Sequence, residues 1–114
     1  MAPALGWASP QNPPVSPDAP VSPASGSASG AELRRRGNEA MAAFKPGEAL
    51  DAYKQAYDLS RDPALLYNMA RALEALEDYP AALARYEDFA RQAPPELRAR
   101  VPKLGEVIAS LRGR

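Results

Sequence analysis

The residues that could do chemistry in this chain of 114 amino acids are few in kind. It contains no cysteine and no histidine, which excludes disulfides, thiol nucleophiles, imidazole bases and zinc sites built on those ligands. Carboxylates cluster at Glu74, Glu77 and Asp78 and at Glu87 and Asp88, and Glu74, Glu87 and Asp88 lie three or four residues from Arg71, Arg85 or Arg91, a pattern typical of solvated helix faces. We therefore predict no catalytic residue, no metal site and no cofactor.

Charge and hydropathy exclude two further classes of protein. The 14 Lys and Arg residues balance 14 Asp and Glu residues, whereas a protein that binds duplex nucleic acid normally carries a basic excess. The run of Arg34, Arg35 and Arg36 does not form one basic patch, because successive helical residues point about 100° apart. No apolar stretch approaches the ~20 residues of a membrane-spanning helix. We predict neither a nucleic-acid partner nor a transmembrane segment.

Residues 1–30 differ in composition from the rest of the chain. They hold 7 of the 13 prolines, and Pro, Ser, Gly and Ala fill 22 of the 30 positions, which predicts a disordered tail or linker. Gly6 and Ala8 are small residues two positions apart, which is the pattern that precedes a signal-peptidase cleavage site. Residues 1–8 are therefore interpreted as a signal-peptide remnant. This favours export to the periplasm or cell envelope, and the alternative is a cytoplasmic protein with a small-residue N-terminus.

Residues 31–114 form a single predicted domain of helices. Good helix formers dominate, and Pro46, Pro63, Pro80 and Pro94 interrupt them at regular places. The pattern predicts helices near 31–44, 48–59, 63–77, 80–92 and 96–112, and the short connections predict antiparallel neighbours. Because β-branched residues are almost absent from this part, we predict an all-α fold.

When the sequence is aligned with itself at an offset of 33 residues, several positions carry identical or similar residues. The offset places Ala49 on Ala82, and Tyr53 on Tyr86. Gly37 and Ala70 also coincide in the shift, as do Leu50 and Leu83. A period of this length that covers two helices is typical of a stacked helical array. Small residues at such positions let two helix backbones approach closely, and the larger ones fill the space between layers.

The segments that carry this period resemble tetratricopeptide repeats. Residues 65–73, 77–86 and 93–94 resemble one repeat, and residues 31–40 and 48–56 resemble the repeat before it. The unit here has 33 residues where the family has 34, and Pro46 stands where the second unit has Tyr79. The resemblance implies an α-α solenoid of two antiparallel helix pairs, with repeat 1 at about 31–62 and repeat 2 at about 63–94.

The last predicted helix, about 96–112, has one apolar stripe. The stripe is formed by Leu97, Val101, Leu104, Ile108 and Leu111, which indicates a helix that caps the final repeat. Pro102 is expected to kink this helix or to restart it. The alternative is that the stripe is a seam for a partner helix or for a second copy of the chain.

The resemblance also implies a function, because members of this family bind a peptide or a helix in the concave groove lined by the first helix of each pair. The corresponding groove candidates here are Arg34, Asn38, Met41, Tyr67, Asn68, Arg71 and Arg98. A narrower possibility follows chaperone-binding members, which hold a terminal carboxylate with a basic residue and two asparagines. Arg34, Asn38 and Asn68 match that pattern, but Pro102 stands where a further cation is expected.

These observations predict a scaffold or adaptor module that binds another protein or peptide. The alternative is a structural unit that self-assembles into a homo-oligomer through the exposed end of the array or the capping helix. The excess of 11 arginines over 3 lysines, with the frequent alanine and proline, suggests a GC-rich bacterial genome. The pattern does not name the partner.

Overall fold

The computed structural model describes residues 29–114, which form six α-helices and contain no strand. They are α1 (Gly30–Ala42), α2 (Pro46–Ser60), α3 (Ala64–Ala75), α4 (Tyr79–Gln92), α5 (Pro95–Arg98) and α6 (Leu104–Arg112). The prediction of an all-α fold is confirmed for this part of the chain. Residues 1–28, with most of the predicted tail and the interpreted cleavage point after Ala8, lie outside the described residues. None of the helices in residues 29–114 has the length and apolar character that crossing a bilayer requires.

Short polar side chains mark the beginnings of three helices. Ser29, which the composition assigns to the tail, caps α1 by accepting a hydrogen bond from the backbone N–H of Glu32 (3.1 Å). Gly30 is the first residue of that helix, so the folded part begins slightly earlier than the composition suggests. Asp78 accepts the corresponding bond from the N–H of Ala81 at the beginning of α4, and Asp62, just before Pro63, accepts one from the N–H of Ala64 at the beginning of α3. Each cap satisfies a backbone donor that the first helical turn leaves unpaired.

The α1–α2 and α3–α4 turns have the same backbone geometry. Phe44 in the first and Glu77 in the second, 33 residues apart, adopt left-handed conformations with φ of 61° and 62°. The N–H of the residue after Phe44 donates to the carbonyl of Ala40 at 2.8 Å. The N–H of the residue after Glu77 donates to the carbonyl of Leu73 at 2.9 Å. This bond pattern ends a helix and reverses the chain. The repeat seen in the sequence therefore extends to the backbone of the turns.

Neighbouring helices pack in pairs around one core. Contacts join α1 to α2, α2 to α3, α3 to α4, and α4 to α6. Ala49 and Ala82 are fully buried, and Tyr53 and Tyr86 are almost so. Gly37 lies against the ring of Tyr53 so closely that a methyl group there would be 2.4 Å from Cε1. Most of the residues that coincide in the 33-residue shift thus bring paired helices together, whereas Leu50 and Leu83 are only half-buried.

The chain from 95 onward differs from the prediction of one helix over about 96–112. Two helices, α5 and α6, are separated by residues 99–103, which include Pro102. Proline has no N–H to donate and its ring crowds the preceding turn, so the helix restarts at Leu104. Leu104 and Leu111 are buried, and α6 packs on α4. The apolar stripe is therefore covered by the chain's own fourth helix over the length of α6.

Candidate functional site

Four of the seven predicted groove residues surround one depression on the surface. Asn38 and Met41 come from α1, Asn68 and Arg71 come from α3, and Tyr53 of α2 completes the lining. A spacing of three residues places both side chains of each pair on the same face of their helix. The depression has a volume of about 200 Å³, and we call it the α1–α3 depression.

Hydrogen-bond donors converge on this depression. The Tyr53 hydroxyl donates to Oδ1 of Asn38 at 2.6 Å, which leaves both amide hydrogens of Asn38 for another acceptor. Burial raises the pKa of the Tyr53 hydroxyl, and the charge of Arg71 opposes that rise with a smaller effect. Tyr53 therefore stays protonated at neutral pH and keeps Asn38 in this orientation.

Arg71 gives the depression its charge. The guanidinium lies 5.9 Å from the centre of the Tyr67 ring, and within residues 29–114 Arg71 takes part in no ion pair. No carboxylate is among the five lining side chains. One cation and two carboxamides, without a competing acid, are suited to accept a carboxylate through charge-assisted hydrogen bonds.

The other three predicted residues do not line the α1–α3 depression. The Arg34 guanidinium is 2.5 Å from Oδ2 of Asp62, so an internal carboxylate already occupies it. Tyr67 packs edge-on against Tyr86 of α4, with 5.8 Å between ring centroids. Arg98 is exposed on α5. Asn38 and Asn68, the asparagines of the chaperone-type pattern, thus line a depression together with Arg71. Arg34, the basic residue of that pattern, does not line it.

The carboxylates raised for acid–base chemistry are arranged in two ways. Glu74 accepts a hydrogen bond from the Tyr86 hydroxyl at 2.7 Å, Asp78 caps α4, and neither they nor Glu77 form an ion pair within residues 29–114.

Other carboxylates lie in surface ion pairs. Arg35 is within 3.8 Å of Glu32 and 2.7 Å of Glu39, at helical spacings. Asp88 pairs with Arg85 and Arg91 in the same way on α4. Such exposed pairs contribute under about 1 kcal/mol each. In the described part of the chain, no group of three or more potential ligands is arranged to hold a metal ion.

A second opening lies on the other side of α3. It has a volume of about 640 Å³ and is lined by side chains of α2, α3 and α4, including Leu50, Tyr57, Met69 and Ala84. We call it the α2–α4 groove. The family resemblance implies a groove on the first helix of each pair, so it does not predict this opening.

Tyr53 is a functional candidate that the sequence analysis treated as packing only. Its ring is buried between α1 and α2, yet its hydroxyl orients Asn38 in the α1–α3 depression. The spacing of residues indicates which helix face a tyrosine occupies but not which polar atom its hydroxyl reaches, so no signal in the sequence identified this contact.

Comparison with known proteins finds no family model, no curated protein and no solved structure that matches the chain. The assignment of a function therefore depends on the 33-residue repeat and on the contacts of the α1–α3 depression. Both are properties of the chain itself and can be tested by substitution.

Proposed function

We propose that this chain is a non-catalytic protein-interaction module of the tetratricopeptide type, which binds a segment of another protein at the α1–α3 depression. The observation that carries the proposal is the convergence of Asn38, Met41, Asn68 and Arg71 from two equivalent helices on one depression. A peptide or helix with a carboxylate beside an apolar side chain matches this surface. The carboxylate meets Arg71 and the amides, and the apolar group meets half-buried Met41.

The repeated geometry supports the solenoid that the proposal requires. The left-handed turn residues Phe44 and Glu77 are equivalent in the 33-residue shift, as are the caps Ser29 and Asp62. Equivalent turns and caps support the same orientation for α1 and α3, and the proposal requires that their outward faces form a continuous surface. The helices are already formed, so binding costs little ordering of the receptor.

The size of the α1–α3 depression favours a macromolecular partner. Pockets that enclose a small molecule usually have volumes of about 300–1,000 Å³, and this depression has about 200 Å³. It accommodates one or two side chains of a longer segment whose remainder lies along α1 and α3. Affinity then comes from a few central contacts surrounded by weaker ones.

The experiment is capture of partners by the full chain from an extract of its native host, with purified binding measured afterwards. Arg71→Glu and Asn68→Ala should each weaken binding at least about tenfold, since a charge-assisted hydrogen bond contributes about 1.5–3 kcal/mol. Arg36→Glu is the matched control, because it makes the same charge change at an exposed position of α1 outside the depression.

Binding that survives Arg71→Glu and Asn68→Ala in folded variants would contradict the proposal. Equal losses in Arg71→Glu and Arg36→Glu would also contradict it, because they would indicate a response to net charge and not to the depression. Circular dichroism of each variant establishes that the helices are intact.

A further inference from the structure

The balanced charge of the chain is distributed unevenly over the domain. Residues 97–114 carry five Arg and Lys side chains and one Glu, whereas residues 29–96 carry nine Arg and Lys against twelve Asp and Glu. We propose that residues 97–114, which we call the basic segment, form a second contact surface that takes an acidic stretch of the partner bound at the α1–α3 depression. This inference rests on the proposed function, because it assigns the chemistry of a further part of the same ligand.

The basic segment presents cations that the domain itself does not neutralise. Arg98, Arg100 and Lys103 are exposed, and within residues 29–114 none of them forms an ion pair or lies over an aromatic ring. Glu87 and Asp88 belong to α4, on which α6 packs, and both already pair with other arginines. The three cations therefore keep an attractive potential for an external anion.

The basic segment is connected to the α1–α3 depression across α3. Glu74 lies three residues after Arg71 on that helix, which is about 4.5 Å along the helix axis. Lys103 and Arg114 line, together with Glu74, a second depression of about 220 Å³ between α3 and α6. A few residues of an extended chain, each about 3.3 Å long, connect the two depressions.

Glu74 also determines where the acids of the ligand lie. A ligand carboxylate directly over Glu74 would meet a like charge, whereas Arg71 on one side and Lys103 on the other attract it. The bound segment should therefore carry one acid at Arg71 and its further acids beyond Glu74, against the basic segment.

The charge of the remaining domain favours a short acidic stretch over a long polyanion. Residues 29–96 have three more acids than bases, so a nucleic acid or an anionic membrane that extends beyond the basic segment meets a surface of its own sign. Charged contacts at the edge of an interface mainly raise the association rate constant, whereas central contacts mainly lower the dissociation rate constant. This difference separates the basic segment from Arg71 in an experiment.

The probe is a synthetic peptide from a random peptide library that is displayed on phage and selected on the full chain. The selected pool should be enriched in Asp and Glu at two or more positions. Arg98→Glu/Arg100→Glu should lower the association rate constant of the peptide at least about fivefold at low salt, with little change in its dissociation rate constant. The loss should disappear at about 0.5 M salt, where exposed charges are screened.

Arg36→Glu/Lys54→Glu is the matched control, because it reverses two exposed cations that have no ion pair within residues 29–114 and line neither depression. Circular dichroism establishes that both double variants are folded. The inference is supported if the association rate constant falls in Arg98→Glu/Arg100→Glu and changes less than about twofold in the control.

Equal association rate constants in the two double variants, or a pool with acids at one position only, would overturn the inference. The proposed function would survive that result as long as Arg71→Glu still weakens binding, and it fails together with the inference if Arg71→Glu has no effect. Duplex DNA or phosphatidylserine vesicles that bind as tightly as the peptide, and are released by Arg98→Glu/Arg100→Glu, would also overturn the inference, because the basic segment would then serve a polyanion.

Discussion

Replacement of Gly37 by alanine tests the close contact between α1 and α2. A methyl group at Gly37 would lie 2.4, 2.6 and 2.9 Å from Cε1, Cδ1 and Cζ of Tyr53, all shorter than a van der Waals contact. The ring cannot move aside freely, because it is 3% exposed and its hydroxyl is bonded to Asn38. Either α1 moves away from α2 or the hydrogen bond is lost.

The two opposing effects can be compared in magnitude. Alanine is favoured over glycine within a helix by about 1 kcal/mol. Forcing an extra methyl into a packed contact costs about 1–3 kcal/mol, and the loss of the Tyr53–Asn38 bond adds about 1 kcal/mol. Together these contributions predict that Gly37→Ala lowers the free energy of unfolding by about 1–3 kcal/mol.

Gly47→Ala is the matched control, because no atom lies within 4 Å of the added methyl group. It should raise the free energy of unfolding by up to about 1 kcal/mol. Urea unfolding followed by circular dichroism measures both variants, and Tyr53→Leu removes the ring that clashes. Gly37→Ala should then be neutral or stabilising in the Tyr53→Leu background. Stabilisation by Gly37→Ala in the native background would refute the close approach.

Three further predictions concern the turns, the buried tyrosine and the oligomeric state. Phe44→Gly should stabilise the fold by up to about 1 kcal/mol in thermal unfolding, because the left-handed backbone conformation is strained in a residue that has a Cβ. Ala43→Gly is the control, and it should destabilise the fold because Ala43 has an ordinary φ of −89°. Burial and the hydrogen bond to Glu74 raise the pKa of Tyr86 above its usual 10.0, so the protonated form stabilises the fold and this contribution is lost as the pH rises above about 10. Tyr86→Phe should make the free energy of unfolding less dependent on pH above about 10. It should also lower that free energy by about 1 kcal/mol at neutral pH, since it removes a 2.7 Å bond to Glu74. An unchanged dependence on alkaline pH would contradict this. Light scattering should give a monomer mass at low and high concentration, because α6 covers its apolar stripe with α4; a dimer mass would support the self-assembly alternative.

The order and bounds of the first four helices could be predicted from local chemistry. Prolines at 46 and 80 fit the first helical turn, where no N–H is needed, and the caps at Asp62 and Asp78 follow the same logic. The positions that pack helices together could also be predicted, because a 33-residue shift matches Gly37 with Ala70. The prolines and caps act within a few residues of the helix ends, and the packing positions can be read because the same pattern occurs twice in the sequence.

The remaining features depend on contacts between distant residues. Arg34 pairs with Asp62, 28 residues away, and no spacing rule identifies that partner. The left-handed turn at Phe44 has neither glycine nor asparagine, the residues that usually reveal such a conformation. The α2–α4 groove arises only when three helices are assembled, so neither its existence nor its lining can be read from a single periodicity.

The most direct test of the account is NMR of the ¹⁵N-labelled full chain, titrated with a peptide selected by display on that chain. Binding at the α1–α3 depression predicts that the side-chain amide signals of Asn38 and Asn68 and the Nε signal of Arg71 shift first and by the largest amounts. Shifts that are confined to α2 and α4, with those three side chains unchanged at saturation, would contradict the central claim.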